Sequence, residues 1–181
     1  MAHKDPQDHP HHHGEVPRQH KARAPASAKV YVITCSDSRT AATDEGGRII
    51  KSMLADRGHA VAGSAIVPDE PSRIAQELQR ARESGAQVAL ITGGTGITSR
   101  DSTFEAVSAA IARPLPGFGE LFRMLSFEEI GSAAMLSRAV AGVTKDGLIL
   151  FAMPGSPAAV RLACERLILP ELGHLIEELG R

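Results

Sequence analysis

Hydrophobic positions along this 181-residue chain fall into two alternating rhythms. Short β-branched runs, the first being Val30-Tyr31-Val32-Ile33-Thr34-Cys35, are what strands buried on both faces require. Between these runs apolar residues recur at helical spacing. Residues 43–57 set Ile49, Ile50, Met53 and Leu54 on one helical face, and Gly58 is a natural stop. Residues 60–67 read as a second strand and 70–84 as a second helix, with Ile74, Leu78 and Ala81 aligned and Gly85 ending it. Residues 87–92 and 101–112 supply the third strand and helix. A βαβαβα order predicts an α/β fold, with a parallel sheet covered on both faces and a ligand crevice at the strand ends. Gly and Pro clusters in 114–136 predict a loop with short helices. Residues 140–143 and 148–153 read as strands joined across 144–147, and 157–169 and 170–179 as two closing helices.

Composition divides the chain near residue 28. The first 28 residues hold six of the eight histidines and four prolines, and lack Ile, Leu, Phe and Tyr. Such a segment buries too little apolar surface to offset its chain entropy, so 1–28 is expected to be a disordered tail and 29–181 the folded domain. The run from His9 to His13 either binds Zn or Ni adventitiously or is plain solvated chain. No apolar signal core or bilayer-length run is present, and the expectation is a cytoplasmic protein. Twenty Lys and Arg against 21 Asp and Glu leave a net charge of -1, which gives no case for nucleic-acid or membrane binding. Aromatic residues, at 3%, are too few for a base-stacking platform. Cys35 and Cys164 are too few for a disulfide scaffold.

The strongest chemical signal is Ile91-Thr92-Gly93-Gly94-Thr95-Gly96-Ile97-Thr98-Ser99-Arg100-Asp101. Glycines directly after a parallel strand let backbone amides approach an anion, and the following helix start adds partial positive charge. The spacing matches neither the Walker A nor the Rossmann fingerprint. The glycines either bind phosphate or merely make a tight turn. Asp101 either caps the helix or holds a metal on a bound phosphate. Asp69, in Val67-Pro68-Asp69-Glu70-Pro71, ends the second strand and is expected to open onto the same crevice. Two carboxylates beside a phosphate loop suit Mg²⁺, which takes one or two carboxylates plus substrate oxygens. A second loop, Phe151-Ala152-Met153-Pro154-Gly155-Ser156-Pro157, carries Ser156 as helix cap and Pro157 as first helical residue. Ser36-Asp37-Ser38, at the end of the first strand, serves either a ligand or the next turn. Cys35 reads as a buried small hydrophobe, and His59 and His174 as structural or solvated. No Ser/His/Asp arrangement can be assembled.

Four of these segments also carry a resemblance. Gly93-Gly94-Thr95-Gly96 followed by Arg100-Asp101, Pro116-Gly117-Phe118-Gly119-Glu120, Ala134-Met135-Leu136-Ser137-Arg138-Ala139 with Ala141-Gly142, and Met153-Pro154-Gly155-Ser156-Pro157 together resemble the molybdenum cofactor biosynthesis MoaB/Mog family. Ser126-Phe127-Glu128-Glu129-Ile130-Gly131 is most similar to the MoaB branch. The resemblance implies a three-layer α/β sandwich with a mostly parallel central sheet, assembled as a trimer or hexamer. It implies adenylylation of molybdopterin by Mg-ATP with release of pyrophosphate, and handover to a molybdenum-insertion protein. Asp69 and Asp101 match the family's two catalytic, metal-holding aspartates. Gly93, Gly94, Thr95 and Gly96 would hold phosphate, and Pro154, Gly155 and Ser156 a second anion. The resemblance also sets Ser126 near the pterin, and Ser36 and Asp37, read from the end of the first strand, complete the candidate binding set. The alternative is a non-catalytic molybdopterin carrier of the same fold.

Overall fold

The computed structural model describes residues 27–180. Its β-branched runs are strands: β1 (Lys29–Cys35), β2 (Ala60–Val67), β3 (Val88–Thr92), the two-residue β4 (Arg113–Pro114), β5 (Val140–Val143) and β6 (Ile149–Met153). The helices are α1 (Glu45–Asp56), α2 (Pro71–Glu83), α3 (Thr103–Ala110), α4 (Pro116–Ile130), α5 (Pro157–Ala163) and α6 (Leu169–Leu179). One six-stranded sheet runs in the order β2-β1-β3-β6-β5-β4. The β2-β1-β3-β6 portion is parallel, and β5 pairs antiparallel with β6 and with β4.

Alternation along the central strands feeds two separate cores. Val30 and Val32 of β1, with Val88, Leu90 and Phe151, pack beneath Ile50 and Leu54 of α1 and Phe122 of α4. Tyr31 and Ile33, with Ala89, Ile91 and Leu150, pack beneath Ile74, Leu78 and Ala81 of α2 and Val107 of α3. The sheet is therefore the middle of three layers, as a sheet apolar on both faces demands. The helices on either face hold the strand ends rigid where the crevice opens.

Three expectations change. The span 114–136 is mainly the 15-residue helix α4, followed by a 3₁₀ turn at Gly131–Leu136. Pro116 sits in its first turn, where a missing N–H costs nothing, and Phe118, Phe122 and Leu125 form its buried stripe. The two closing helices run on without a break, because a π-helical turn at Cys164–Ile168 joins α5 to α6 and the Leu169 amide bonds to the Cys164 carbonyl. Helix α3 begins at Thr103, so Asp101 stands ahead of it and Ser102 occupies the cap position.

The expected tail lies outside the described residues except for its last two. Of these, Ala28 is buried, and its carbonyl accepts from the Ala60 amide at 2.8 Å. Among the described residues, no helix is long and apolar enough to cross a membrane.

Candidate active site

Strand β1 leads to β2 on one side and its other neighbour is β3, so the chain diverges at β1 and leaves a crevice at the carboxyl ends. The loop after β3 forms its floor. Gly93 and Gly94 have φ of +93° and +62°, a region L side chains rarely adopt. A Cβ at Gly93 would overlap the Cys35 carbonyl, and one at Gly94 the Asp69 carboxylate and Thr103 hydroxyl. The Gly93 amide donates to the Met153 carbonyl at 3.1 Å, which carries the β3–β6 pairing into the loops. A Cβ added at Gly155 would lie 3.1 Å from the Gly93 Cα, so the two glycine loops abut.

Between them lies a cavity of 310 Å³. Thr92, Gly93, Gly94, Thr95 and Gly96 line one wall, and Pro154 and Gly155 another. Ser36 and Arg39 close the β1 side, and Thr34, Asp44 and Asp101 supply further polar groups. Among the described residues, no hydrogen bond leaves the Gly94 or Thr95 amide for another backbone group. The wall is thus rich in donors an anion can use.

Asp101 reaches the cavity as expected, but not as a helix cap. Its Oδ2 accepts from the Thr98 hydroxyl at 2.6 Å and the Thr98 amide at 2.9 Å. The Thr98 hydroxyl, aided by backbone amides and by Arg138, holds this carboxyl below the usual carboxylate range. Asp69 does not line the cavity. It is buried behind Gly94, and its Oδ1 accepts from the Ser102 amide (3.1 Å), the Ser102 hydroxyl (3.0 Å) and the Thr103 hydroxyl (3.1 Å). The orphan donors at the start of α3 take the carboxylate, which is why it faces the helix and not the open space.

Other expected residues divide in the same way. Ser36 borders the cavity and its Oγ accepts from the Ser38 and Arg39 amides, shaping the turn that presents Arg39. Asp37 stands outside it, pairing with Arg100 at 2.5 Å and accepting from the Asp69 amide at 3.3 Å. Arg100 holds the Asp37 carboxyl low. Ser156 caps α5, its Oγ accepting from the Ala159 amide at 3.2 Å, and does not line the cavity. Ser126 is buried on the inward face of α4 and does not border the cavity either. Burial pushes the Cys35 thiol up to about 12, so it stays neutral and inert.

Sequence reasoning gave no site role to Thr34, Arg39 or Asp44, nor to Arg138, which it met only inside a resembling segment. Asp44 is buried, accepting from the Gly47 amide at 2.9 Å and the Thr34 hydroxyl at 3.0 Å. An Asp directly before Glu45-Gly46-Gly47 is a helix-cap signal that could have found it. The motif around Arg138 marked the residue but not its role, because its partners on the glycine loop are remote in sequence.

The donor set can be tested against Mg²⁺. Among the described residues, no group of three His, Cys, Asp or Glu forms a protein cage. Of the two carboxylates on the cavity, Asp44 is held by the Gly47 amide and the Thr34 hydroxyl, and Asp101, beside amides suited to phosphate, fits an ion that arrives with phosphoryl oxygens as its other ligands.

A glycine-lined cavity with two acidic groups, at the divergence point of the sheet, places the chain among three-layer α/β proteins whose crevice opens at the strand ends. Residues 31–174 match the family described as "Probable molybdopterin binding domain". Molybdenum cofactor biosynthesis protein B of Halalkalibacterium halodurans is 48% identical over 163 residues, covering 89% of this chain and 95% of the relative. The Bacillus subtilis protein of that name is 44% identical over 166 residues, covering 91% and 97%. A crystal structure of molybdenum cofactor biosynthesis protein B superposes with a TM-score of 0.84 at 47% identity, covering 88% and 99%. The tungsten cofactor synthesizing protein MoaB from Pyrococcus furiosus gives 0.80 at 36%, covering 87% and 100%. The chain belongs to the molybdenum cofactor biosynthesis protein B family.

Proposed function

We propose that the chain adenylylates molybdopterin with Mg-ATP during molybdenum cofactor biosynthesis. The observation that carries this reading is a cavity wall of glycine-loop amides with the Asp101 carboxylate beside it. Amides and the Arg39 cation hold the triphosphate, so the α-phosphorus is fixed in line with its attacker. A terminal phosphate oxygen of molybdopterin bonds to that phosphorus as the bond to the β-phosphate oxygen breaks, and pyrophosphate leaves. Asp101 would hold Mg²⁺, which would supply charge neutralisation at the phosphoryl oxygens. Asp69 acts from behind Gly94, fixing the loop to the start of α3. Pro154 and Gly155 border the second anion.

The test is pyrophosphate release from purified protein given molybdopterin and Mg-ATP. Asp101→Asn keeps the shape and removes the charge, so release is expected to fall at least about a hundredfold. The position of Asp69 favours a second reading, a molybdopterin carrier, because a carboxylate committed to a helix start is not offered to a metal. Wild-type protein that binds both substrates and releases no pyrophosphate selects the carrier and ends the enzymatic reading.

Assembly into three or six copies belongs to the same proposal. Met124, Phe127 and Ile130 of α4, with Met135 and Leu136, leave an apolar surface for it. The product passes to a molybdenum-insertion protein.

A further inference from the structure

Arg138 lies between the 3₁₀ turn and β5, 43 residues along the chain from Thr95. Its guanidinium nevertheless reaches the glycine loop. Nε donates to the Thr95 carbonyl at 3.2 Å, and Nη2 to the carbonyls of Gly96 and, at 3.3 Å, Asp101. Nη1 pairs with the Glu105 carboxylate on α3, and the group lies 5.0 Å from the centre of the Phe104 ring. Few side chains can serve three carbonyls and a carboxylate at once; the rigid fork of Arg can.

Peptide geometry gives these contacts a further meaning. No described peptide is cis, so each carbonyl and the following N–H point in opposite directions. The Thr95 carbonyl turns toward Arg138, and the Asp101 carboxylate lies beside Gly96, whose N–H on the other edge of that peptide helps keep this carboxyl low. The Asp101 carbonyl also turns toward Arg138, and the Ser102 N–H opposite it meets Asp69 Oδ1 at 3.1 Å. One guanidinium and two carboxylates therefore flank opposite edges of the same two peptide planes, with Asp69 hydrogen-bonded at one of them.

We propose that Arg138 is the positioning residue of this site: through the loop carbonyls it sets the orientation of both Asp101 and Asp69. Its effect on turnover rests on the adenylyl-transfer reading, while its effect on the loop does not. Removing it frees the Thr95–Gly96 and Asp101–Ser102 peptides to rotate, which loosens both carboxylates without touching the sheet.

Amide hydrogen exchange on the full-length protein decides the structural half. Arg138→Met is expected to speed exchange at Gly96 and Ser102 about tenfold or more, with Ile91 and Leu150 in the central strands unchanged. Arg138→Lys, which keeps the charge but not the fork, should give a smaller rise at the same two amides. Should Arg138→Met loosen the central strands as well, Arg138→Lys alone decides. Unchanged exchange at Gly96 and Ser102 in a variant with intact central strands overturns the proposal.

Kinetics supply the functional half. Arg138→Met should raise the KM for Mg-ATP about tenfold, a loss of charge-assisted contacts that a lower fraction of folded enzyme would not mimic. An unchanged KM with only kcat reduced counts against it. Wild-type protein without transfer activity overturns the adenylylation reading, and the exchange data still judge Arg138.

Discussion

Gly94 lines the cavity with its backbone, and its missing side chain leaves room for the Asp69 carboxylate behind it. Gly94→Ala would force both a left-handed alanine and an overlap. It is expected to cost at least about 1–3 kcal/mol, read from chemical denaturation. His59 gives a test on the pH axis. Its Nδ1 accepts from the Ala28 amide at 3.2 Å, and burial followed by Arg57 lowers its pKa. A lowered value favours the neutral ring in the fold. Its stabilisation is complete above the unfolded imidazole value, about 6.5, and is lost as pH falls through the folded one. Tm measured across that range should drop in wild type and drop less in His59→Asn, whose carbonyl accepts in either state. These single-residue roles were only partly readable from the chain. Asp101 and the loop glycines could be found because strand, glycines and helix adjoin in sequence. The direction of Asp69 could not, since it depends on which donors at the start of α3 lie within reach. The role of Arg138, though the residue stood in a resembling segment, was hidden for the same kind of reason, as its partners come from another crossover.

Helices with an unbroken apolar stripe, α1 and α2, were recoverable from periodicity to within two residues. Helix α4 was not, because Pro116, Gly117 and Gly119 imitate a turn. Yet Pro116 is tolerated in a first turn, and a Cβ at Gly119 would come within 2.7 Å of the Ala139 carbonyl. The glycine there serves close packing of the helix on the segment before β5. Phe122 anchors that packing from full burial, and Phe122→Ala should cost about 3–5 kcal/mol in an equilibrium unfolding experiment. Ser156 makes a smaller contribution at the start of α5. Ser156→Ala should cost about 1 kcal/mol by the same measurement, with little change in pyrophosphate release.

For the whole molecule, the alternation of strands and helices carried the layer order, because a sheet apolar on both faces must be covered twice. It could not supply the sequence of strands across the sheet, which depends on pairing far along the chain. That order matters for function, since it puts the ends of β1, β3 and β6 side by side and so brings the two glycine loops into contact. Phe127, 62% exposed on α4, tests the proposed assembly. Phe127→Glu should lower the mass seen by light scattering, and an unchanged mass would remove that face from the assembly. The wide turn at Cys164–Ile168 accommodates one residue more than a regular coil, and so rotates helix α6 by about 100°. Leu172 meets the core after that rotation. Excising a single residue there would restore a regular coil and leave Leu172 facing the core, whereas winding the full-length segment as a regular coil would swing Leu172 toward water.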